Sequence, residues 1–458
     1  MSIGCMKPSI PFRGHQNSNA RSASLCMAMI LAGLLLPITG CGKKHLEISP
    51  QLKSFASQKE TQEKTLVEMD AKNSPDANPR FPDCQPFFSA AAKGDWLTVS
   101  NVFSDLENRA NGRAAPSEQY QRGLWLTPVM ETYGAFEAFA LGHQKYAELF
   151  GNEIVQSIPP GSVYFGGTDP GRFVVTAMQK SQVNDDPFFT LTQNALADGF
   201  YLKYLRSMYG DRIYVPTDQD SQNSFKDYTD DVQSRRKDNK LKPGENVKVS
   251  DDGRVQVSGQ VAVMQINGLL AKIIFDKNPD RDFYIEVSFP LDWMYPYLEP
   301  HGLILKINHQ PLPQLSEDAL RQDQQYWANL VAPMIGDWLK TDTSIPEITA
   351  FAEKVRRHDF SGFTGDPAFV QNDYSRKMFS AARAHIADLY VWRMNQATAP
   401  DEKDRMASAA DFAFRQALAL CPYHQEAAKA YEDFLNSQNR NSDAGLIHGM
   451  AVRFPNRN

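Results

Sequence analysis

The chain has 458 residues, with 48 Lys and Arg against 54 Asp and Glu and a formal net charge of -6. Hydrophobic residues make up 42% and charged residues 22%, the balance of a globular protein, which excludes a disordered chain, a collagen, a coiled-coil rod and a many-spanning membrane protein. The slight acid surplus argues against a dedicated nucleic-acid binder, and five cysteines are too few for a disulfide-stapled scaffold.

At the N-terminus, Lys7, Arg13 and Arg21 precede an apolar run from Leu25 to Ile38. A basic lead and a short apolar run describe a secretory signal, because a spanning helix needs about 20 apolar residues. The run ends in Ile38-Thr39-Gly40-Cys41, which resembles a bacterial lipoprotein signal box. The resemblance implies removal of residues 1–40 as a signal peptide and lipid attachment at Cys41. Gly42, standing where an aspartate would mark inner-membrane retention, points to an outer-membrane anchor facing the periplasm. Cys84 and Cys421 remain in the mature body, and the sequence leaves their pairing open.

Residues 41–83 are polar and read as a flexible tether, with a transient helix from Gln58 to Met69. Residues 84–157 carry apolar side chains at helical spacing, among them Phe87, Phe88, Trp96, Val99, Phe103, Trp125, Val129 and Phe136. The pattern changes over residues 158–311. Strands are expected at Ser162–Phe165, Pro187–Thr192, Ile213–Val215, Phe283–Phe289 and Leu303–Ile307, with helices between, notably Ala195–Tyr209 and the face of Ile266, Leu270 and Ile274. Alternating strands and helices predict an α/β fold: a central, Rossmann-like, mostly parallel sheet. A charge-dense segment, 218–245, interrupts it as a polar insertion, and Lys248–Ser258 reads as a hairpin turning at Asp251-Asp252-Gly253. Residues 312–458 return to helix. There, Ala410, Phe414, Ala417 and Pro422 sit at the spacing of a tetratricopeptide unit, and a degenerate second unit follows from Tyr431. Fewer than three such units form no independent solenoid, so these helices are expected to pack on the rest of the body.

The familiar catalytic signatures are absent. The sequence holds no G-x-x-x-x-G-K-[ST], H-E-x-x-H, G-x-S-x-G or C-x-x-C, and its 9 histidines lack metal-ligand spacing. No metal or cofactor is therefore expected, and no catalytic residue is assigned. Asp218-Gln219-Asp220 resembles the D-x-D of some sugar transferases but lies in a polar segment. The loop Gly166-Gly167-Thr168-Asp169-Pro170-Gly171-Arg172 carries more: glycine-rich backbone at a helix start exposes N–H groups to an anion, and Arg172 adds charge. The simpler reading makes Asp169 a helix N-cap and Pro170 the first helical residue. Ligands of open parallel sheets sit beyond the strands' carboxyl ends. That rule groups Gly166, Gly167, Thr168, Asp169 and Arg172 with Gln193, Asn194 and Asp198 and with Asp292 on one candidate ligand-binding rim.

Pro160-Gly161-Ser162-Val163-Tyr164-Phe165 and the loop after it, with Arg281–Val287 and Leu298–Leu303, are similar to the soluble C-terminal domain of bacterial membrane glycosyltransferase-like proteins, relatives of protein O-mannosyltransferases. The resemblance spans roughly residues 158–310 and implies an α/β fold in an envelope context. The family's multi-spanning catalytic portion has no counterpart in this chain, so no catalytic residue carries over. The sequence thus leads to a lipid-anchored envelope protein acting as a non-catalytic module that binds a protein partner or a small anionic or glycan-related ligand, with no role for nucleic acid. An enzyme of glycan or nucleotide-sugar chemistry working through Asp169, Arg172, Asn194 and Asp198 is the alternative, and a structural spacer in an envelope assembly the second.

Overall fold

The computed structural model describes residues 45–74, 79–179, 187–249, 255–287 and 291–454. Cys41 and the signal, and the Asp251–Gly253 turn, lie outside them. The chain divides into two compact units: a smaller one containing Thr192–Pro279 with Asn111–Arg113, and a larger one built from the N-terminal helices, Ala114–Leu191 and Asp280–Asn458.

In the larger unit the expected tether is instead a docked helix, α1 (Pro50–Lys72). Ser49 caps it by accepting from the Leu52 N–H at 3.2 Å, and Pro50 opens its first turn. Leu52, Phe55, Ala56, Lys59, Glu63 and Leu66 fall on one stripe and are buried. Two members of that stripe are charged, which is why its composition reads as solvated. Lys59 pairs with Glu131 of a later helix at 2.5 Å, while Glu63 bonds to Cys84. Then follow α2 (Gln85–Lys93), α3 (Trp96–Ala110), α4 (Leu126–Leu141) and α5 (Gln144–Ser157), as the apolar periodicity predicts. Cys84 and Cys421 are both free, buried thiols, so the two do not pair.

The sheet has five short strands. β1 (Val163–Gly166) leads into a helical turn, Pro170–Val174, that continues as α6 (Val175–Met178), and β2 (Phe189–Thr192) comes next. β5 (Phe283–Ile285), β6 (Leu298–His301) and β7 (Ile304–Ile307) complete the order β2-β1-β5-β7-β6. β1 and β5 run parallel, with Tyr164 opposite Tyr284, but β5–β7 and β6–β7 are antiparallel. The sheet is therefore mixed rather than mostly parallel. The cause is local: Gly302, at φ +64, lets β6 reverse into β7 through a tight turn that needs no crossover helix.

The smaller unit holds α7 (Gly199–Tyr209), α8 (Asp218–Lys237), the hairpin β3 (Asn246–Val249) and β4 (Val255–Ser258), and α9 (Gln260–Lys277). Ile213–Val215, expected as a strand, joins no sheet. Asn278 takes the place of a neighbouring strand: its carbonyl oxygen accepts from the Tyr214 N–H at 2.7 Å, and its amide donates to the Tyr214 carbonyl at 3.1 Å. Within the expected polar insertion, 218–245, α8 is a regular helix. Thr217 and Asp220 cap it reciprocally, and Tyr228 and Val232 pack on Ala262 with Val247, Val255 and Val257. Glu245 closes the excursion with a two-pronged pair to Arg235.

The C-terminal helices of the larger unit are α10 (Glu317–Ile335), α11 (Ile345–Arg356), α12 (Pro367–Val370), α13 (Asp373–Gln396), α14 (Pro400–Leu420), α15 (Gln425–Ser437) and α16 (Asn441–Arg453). Arg383 of α13 fixes three of them: it donates to Asp323 of α10 at 2.8 Å and to Gln416 of α14 at 2.8 Å, with Trp327 under its guanidinium. Asp323 accepts in turn from the Tyr390 hydroxyl. Ala410, Phe414 and Ala417 are fully buried, and Phe414 stacks on Tyr431 at 5.2 Å. No helix of the described residues is long and apolar enough to cross a membrane.

Candidate functional site

The glycine-rich loop after β1 does cradle an anion, and the anion belongs to this chain. Glu286 follows β5, and its backbone N–H continues the pairing by donating to the Phe165 carbonyl. Its carboxylate then turns into the loop and accepts from the N–H groups of Gly167 at 2.9 Å and Thr168 at 2.7 Å and from the Thr168 hydroxyl at 2.5 Å. Burial pushes the Glu286 carboxyl up, and those three donors pull it back. The fit is tight on every side. A Cβ on Gly171 would lie 1.9 Å from the Glu286 carboxylate, and one on Gly166 would lie 2.8 Å from the Arg172 Cα. Glu286 sits in a stretch, Phe-Tyr-Ile-Glu-Val, that reads as a strand. Its acid standing beside a run of glycines became informative only once β1 and β5 were paired.

The charges of the loop are also engaged. Arg172 is 3% exposed, donates through Nε to Asp169 at 3.1 Å and through a terminal nitrogen to the same oxygen, and lies 4.3 Å over the Phe173 ring. Asp169 holds the N-cap position with Pro170 opening the turn, as expected, but its side chain makes no capping bond and pairs with Arg172 instead. The capping acceptor is Thr168, whose hydroxyl takes the Gly171 N–H at 3.1 Å. Behind this pair stand Glu137 and Tyr133 of α4 and Tyr374 of α13. Tyr133 donates to Glu137 at 2.8 Å. Burial drives the Glu137 carboxyl up to about 7, the Tyr133 hydroxyl opposes it, and the charges of Asp169 and Arg172 act in opposite directions. A carboxyl of that kind exchanges its proton near neutrality. The sequence shows Glu137 only as a polar residue in an apolar helix.

The remaining rim residues are engaged as follows. Gln193, Asn194 and Asp198 belong to the smaller unit. Asn267 donates to the Asn194 carbonyl at 3.1 Å and accepts from the Ala197 N–H at 2.7 Å, while Asp198 caps α7 by accepting from the Phe200 N–H at 2.8 Å. Asp218 and Asp220, the ends of the D-x-D, are used in the same way. Asp220 accepts from the Thr217 N–H and the Tyr214 hydroxyl, and Asp218 pairs with Arg206 at 2.9 Å. Asp292 is exposed in the larger unit, and its charge reaches Tyr295.

Tyr295 in turn borders groups that no pattern in the sequence singles out. The helix α13 is buried on all sides except one face, on which Tyr374, Lys377, Ala381, His385, Asp388 and Trp392 are half-buried. Successive spacings of three and four residues place them in one row, about 27 Å from end to end at the rise of an α-helix. Tyr374 ends the row beside Glu137 and Asp169. At the other end Trp392 stacks on Tyr295 at 5.5 Å, and the Tyr295 hydroxyl feels the charges of Asp388 and Asp292. Asp388 has no hydrogen-bond partner among the described residues, and burial alone pushes its carboxyl up to about 7. His385, three residues before it, is held at about 4 by burial and by neighbouring His424, so its ring is neutral at ordinary pH, with Nδ1 unpaired. No protein-family model, curated protein or solved structure matches the chain.

Proposed function

We propose that the chain is a lipid-anchored protein of the bacterial cell envelope, held through Cys41 and facing the periplasm, that binds a glycan-related ligand without turning it over. The half-buried row on α13 supports this reading: it sets the Asp388 carboxyl, which has no hydrogen-bond partner among the described residues, on one helix face with His385 and the stacked Trp392–Tyr295 pair. Aromatic rings accept the apolar faces of sugar rings, and the Asp388 carboxyl and Tyr295 hydroxyl supply hydrogen bonds to hydroxyl groups. The loop after β1 is not the ligand site in this reading, because Glu286 and Asp169 already occupy its donors. The finer fold assignments belong to the same proposal. The β1–β5 pair with its flanking helices is a truncated Rossmann-like element, related to the soluble domain of membrane glycosyltransferase-like proteins, and α14 to α16 form a tetratricopeptide-like end.

Thermal unfolding of the mature chain against oligosaccharides, nucleotide sugars, peptides and simple anions tests the reading. A ligand at a hundred times its dissociation constant adds about 2.7 kcal/mol, which a melting scan resolves. An oligosaccharide is expected to raise the midpoint, and Asp388→Asn with Trp392→Ala to abolish the rise. A rise produced by peptides alone would transfer the face to a protein partner. No rise with any class would remove the function. An enzymatic reading keeps one observation in its favour, the Glu137 carboxyl near neutrality beside the Asp169–Arg172 pair. It requires turnover of a glycan or nucleotide sugar that is lost in Glu137→Gln while binding persists.

A further inference from the structure

The membrane anchor and the docked N-terminal helix together fix which side of the body meets the bilayer. Leu46 is 3% exposed, and its N–H donates to the Gly94 carbonyl at 2.8 Å, so the chain is already bound to the folded body five residues after Cys41. Gly94 makes this contact in a left-handed conformation, φ +72, and a Cβ there would lie 2.3 Å from the Leu46 carbonyl oxygen. Ile48 packs against the same glycine. Five Cα-to-Cα steps span at most about 18 Å, even fully extended. A lipid on Cys41 therefore holds the turn between α2 and α3 within that distance of the headgroups.

The residues at this corner suit such a neighbour. Leu97, in the first turn of α3, is 54% exposed, the second largest exposure among the large apolar side chains of the described residues. Lys93 ends α2 beside it and is exposed, as are His45 and, in the first turn of α1, Lys53. Of the acidic groups here, Asp95 is turned into the start of α3, accepting from the Thr98 N–H at 3.2 Å and the Thr98 hydroxyl at 2.6 Å. Glu47 is exposed. The sequence adds Lys43 and Lys44 directly after the anchor, so basic groups outnumber acidic ones.

We propose that the corner formed by His45, Ile48, Lys93, Gly94 and Leu97 rests on an anionic phospholipid surface, with Leu97 at the level of the headgroups and Lys93 on their phosphates. This rests on the lipid-anchored reading of Cys41 and adds to it an orientation. The body stands directly on the membrane, without a long leash, and the opposite parts of the larger unit are turned to the periplasm. Basic side chains near a surface of anionic lipid are attracted within a Debye length, and an exposed leucine gains by leaving water there.

The test uses the lipidated, full mature chain in vesicles of phosphatidylethanolamine and phosphatidylglycerol carrying a lipid-borne quencher. The body's own thiols, Cys84 and Cys421, are buried, so a fluorophore can be placed selectively by Leu97→Cys or, as a reference on α16, by Leu446→Cys. Quenching is expected to be several-fold stronger at position 97 than at 446. It should weaken when phosphatidylglycerol is replaced by phosphatidylcholine or when Lys93→Glu is introduced. Equal quenching at both positions, in protein whose mass shows lipid on Cys41, overturns the orientation and leaves the anchor standing. A mass without lipid overturns the anchor itself and the orientation with it. Quenching at 97 that ignores both the anionic lipid and Lys93→Glu removes the phosphate contact from the proposal.

Discussion

The loop after β1 and the open face of α13 contain the same kinds of group and treat them in opposite ways. At the loop, the Glu286 carboxylate takes three donors and Arg172 is paired with Asp169. On α13, Asp388 takes no donor and His385 keeps an unpaired nitrogen, although both are closely surrounded by protein. Burial and charge alone therefore do not distinguish a site from a joint. Satisfaction does. Polar groups that complete one another hold the fold, whereas groups left incomplete carry a penalty that a ligand can relieve.

The largest effects are expected where satisfaction is complete. Glu286→Ala strands the N–H groups of Gly167 and Thr168 and the Thr168 hydroxyl and opens a void between β1 and β5. A loss of about 3 kcal/mol in urea unfolding is expected. Gly171→Ala forces a methyl group into the same carboxylate and should lower stability by about 1 to 3 kcal/mol. Because both act on one contact, they should not add. In the Glu286→Ala background the new methyl meets empty space, so Gly171→Ala should then cost far less. Additive losses would mean that the loop and Glu286 are not a single joint.

At Asp388 the sign reverses. Its folded carboxyl titrates at about 7, against the ordinary 3.8, so the folded state binds a proton that the unfolded state has already released. The protein has its full share of stability from this group below about pH 4 and loses it as the pH rises towards 7. Asp388→Asn removes that loss. It should be neutral near pH 4 and stabilising by about 1 to 3 kcal/mol above pH 7. Glu63 and Glu137, also pushed to about 7 by burial, give slopes of the same sign and should persist in the variant. A variant no more stable than the parent at pH 8 would mean that Asp388 is satisfied after all, and the contrast between the two regions would fail.

The contrast also accounts for what the sequence revealed. Apolar periodicity identified α2 to α5, α10, α11, α13 and α14, because burying a stripe forces a helical spacing that any reader can count. It understated α1, whose buried stripe includes Lys59 and Glu63, since their partners Glu131 and Cys84 lie far along the chain. Alternating strands and helices were legible, but not the mixed direction, which turns on the short reversal at Gly302. Of the candidate rim, Asp169 and Arg172 do meet, yet as each other's partner. Asn194 and Asp198 belong to the smaller unit, where the Asn194 carbonyl accepts from Asn267 and Asp198 caps α7. Glu286 and Asp388 were invisible as functional groups for opposite reasons. One gains its meaning from a strand pairing, the other from a lack of partners, and neither is written in local pattern.

The smallest expected effect makes the sharpest comparison, because it removes the same charge from each region. Arg172→Ala deletes a buried cation stacked on Phe173 and leaves Asp169 without its partner, beside a Glu137 carboxyl that loses a favourable charge. A destabilisation of about 1 to 3 kcal/mol is expected, with the Glu137 titration moved further upward. Lys377→Ala removes a half-buried cation from the open face of α13, whose charge reaches Glu426 and Cys421 only at a distance. Its effect on unfolding should stay within about 0.5 kcal/mol, the range of surface changes that break no specific contact. If the α13 face receives a ligand, the same substitution should nonetheless alter the ligand-induced rise in melting temperature, which Arg172→Ala should leave intact at equal fractional saturation. A Lys377→Ala protein as destabilised as Arg172→Ala, with an unaltered ligand response, would make the face of α13 a second joint.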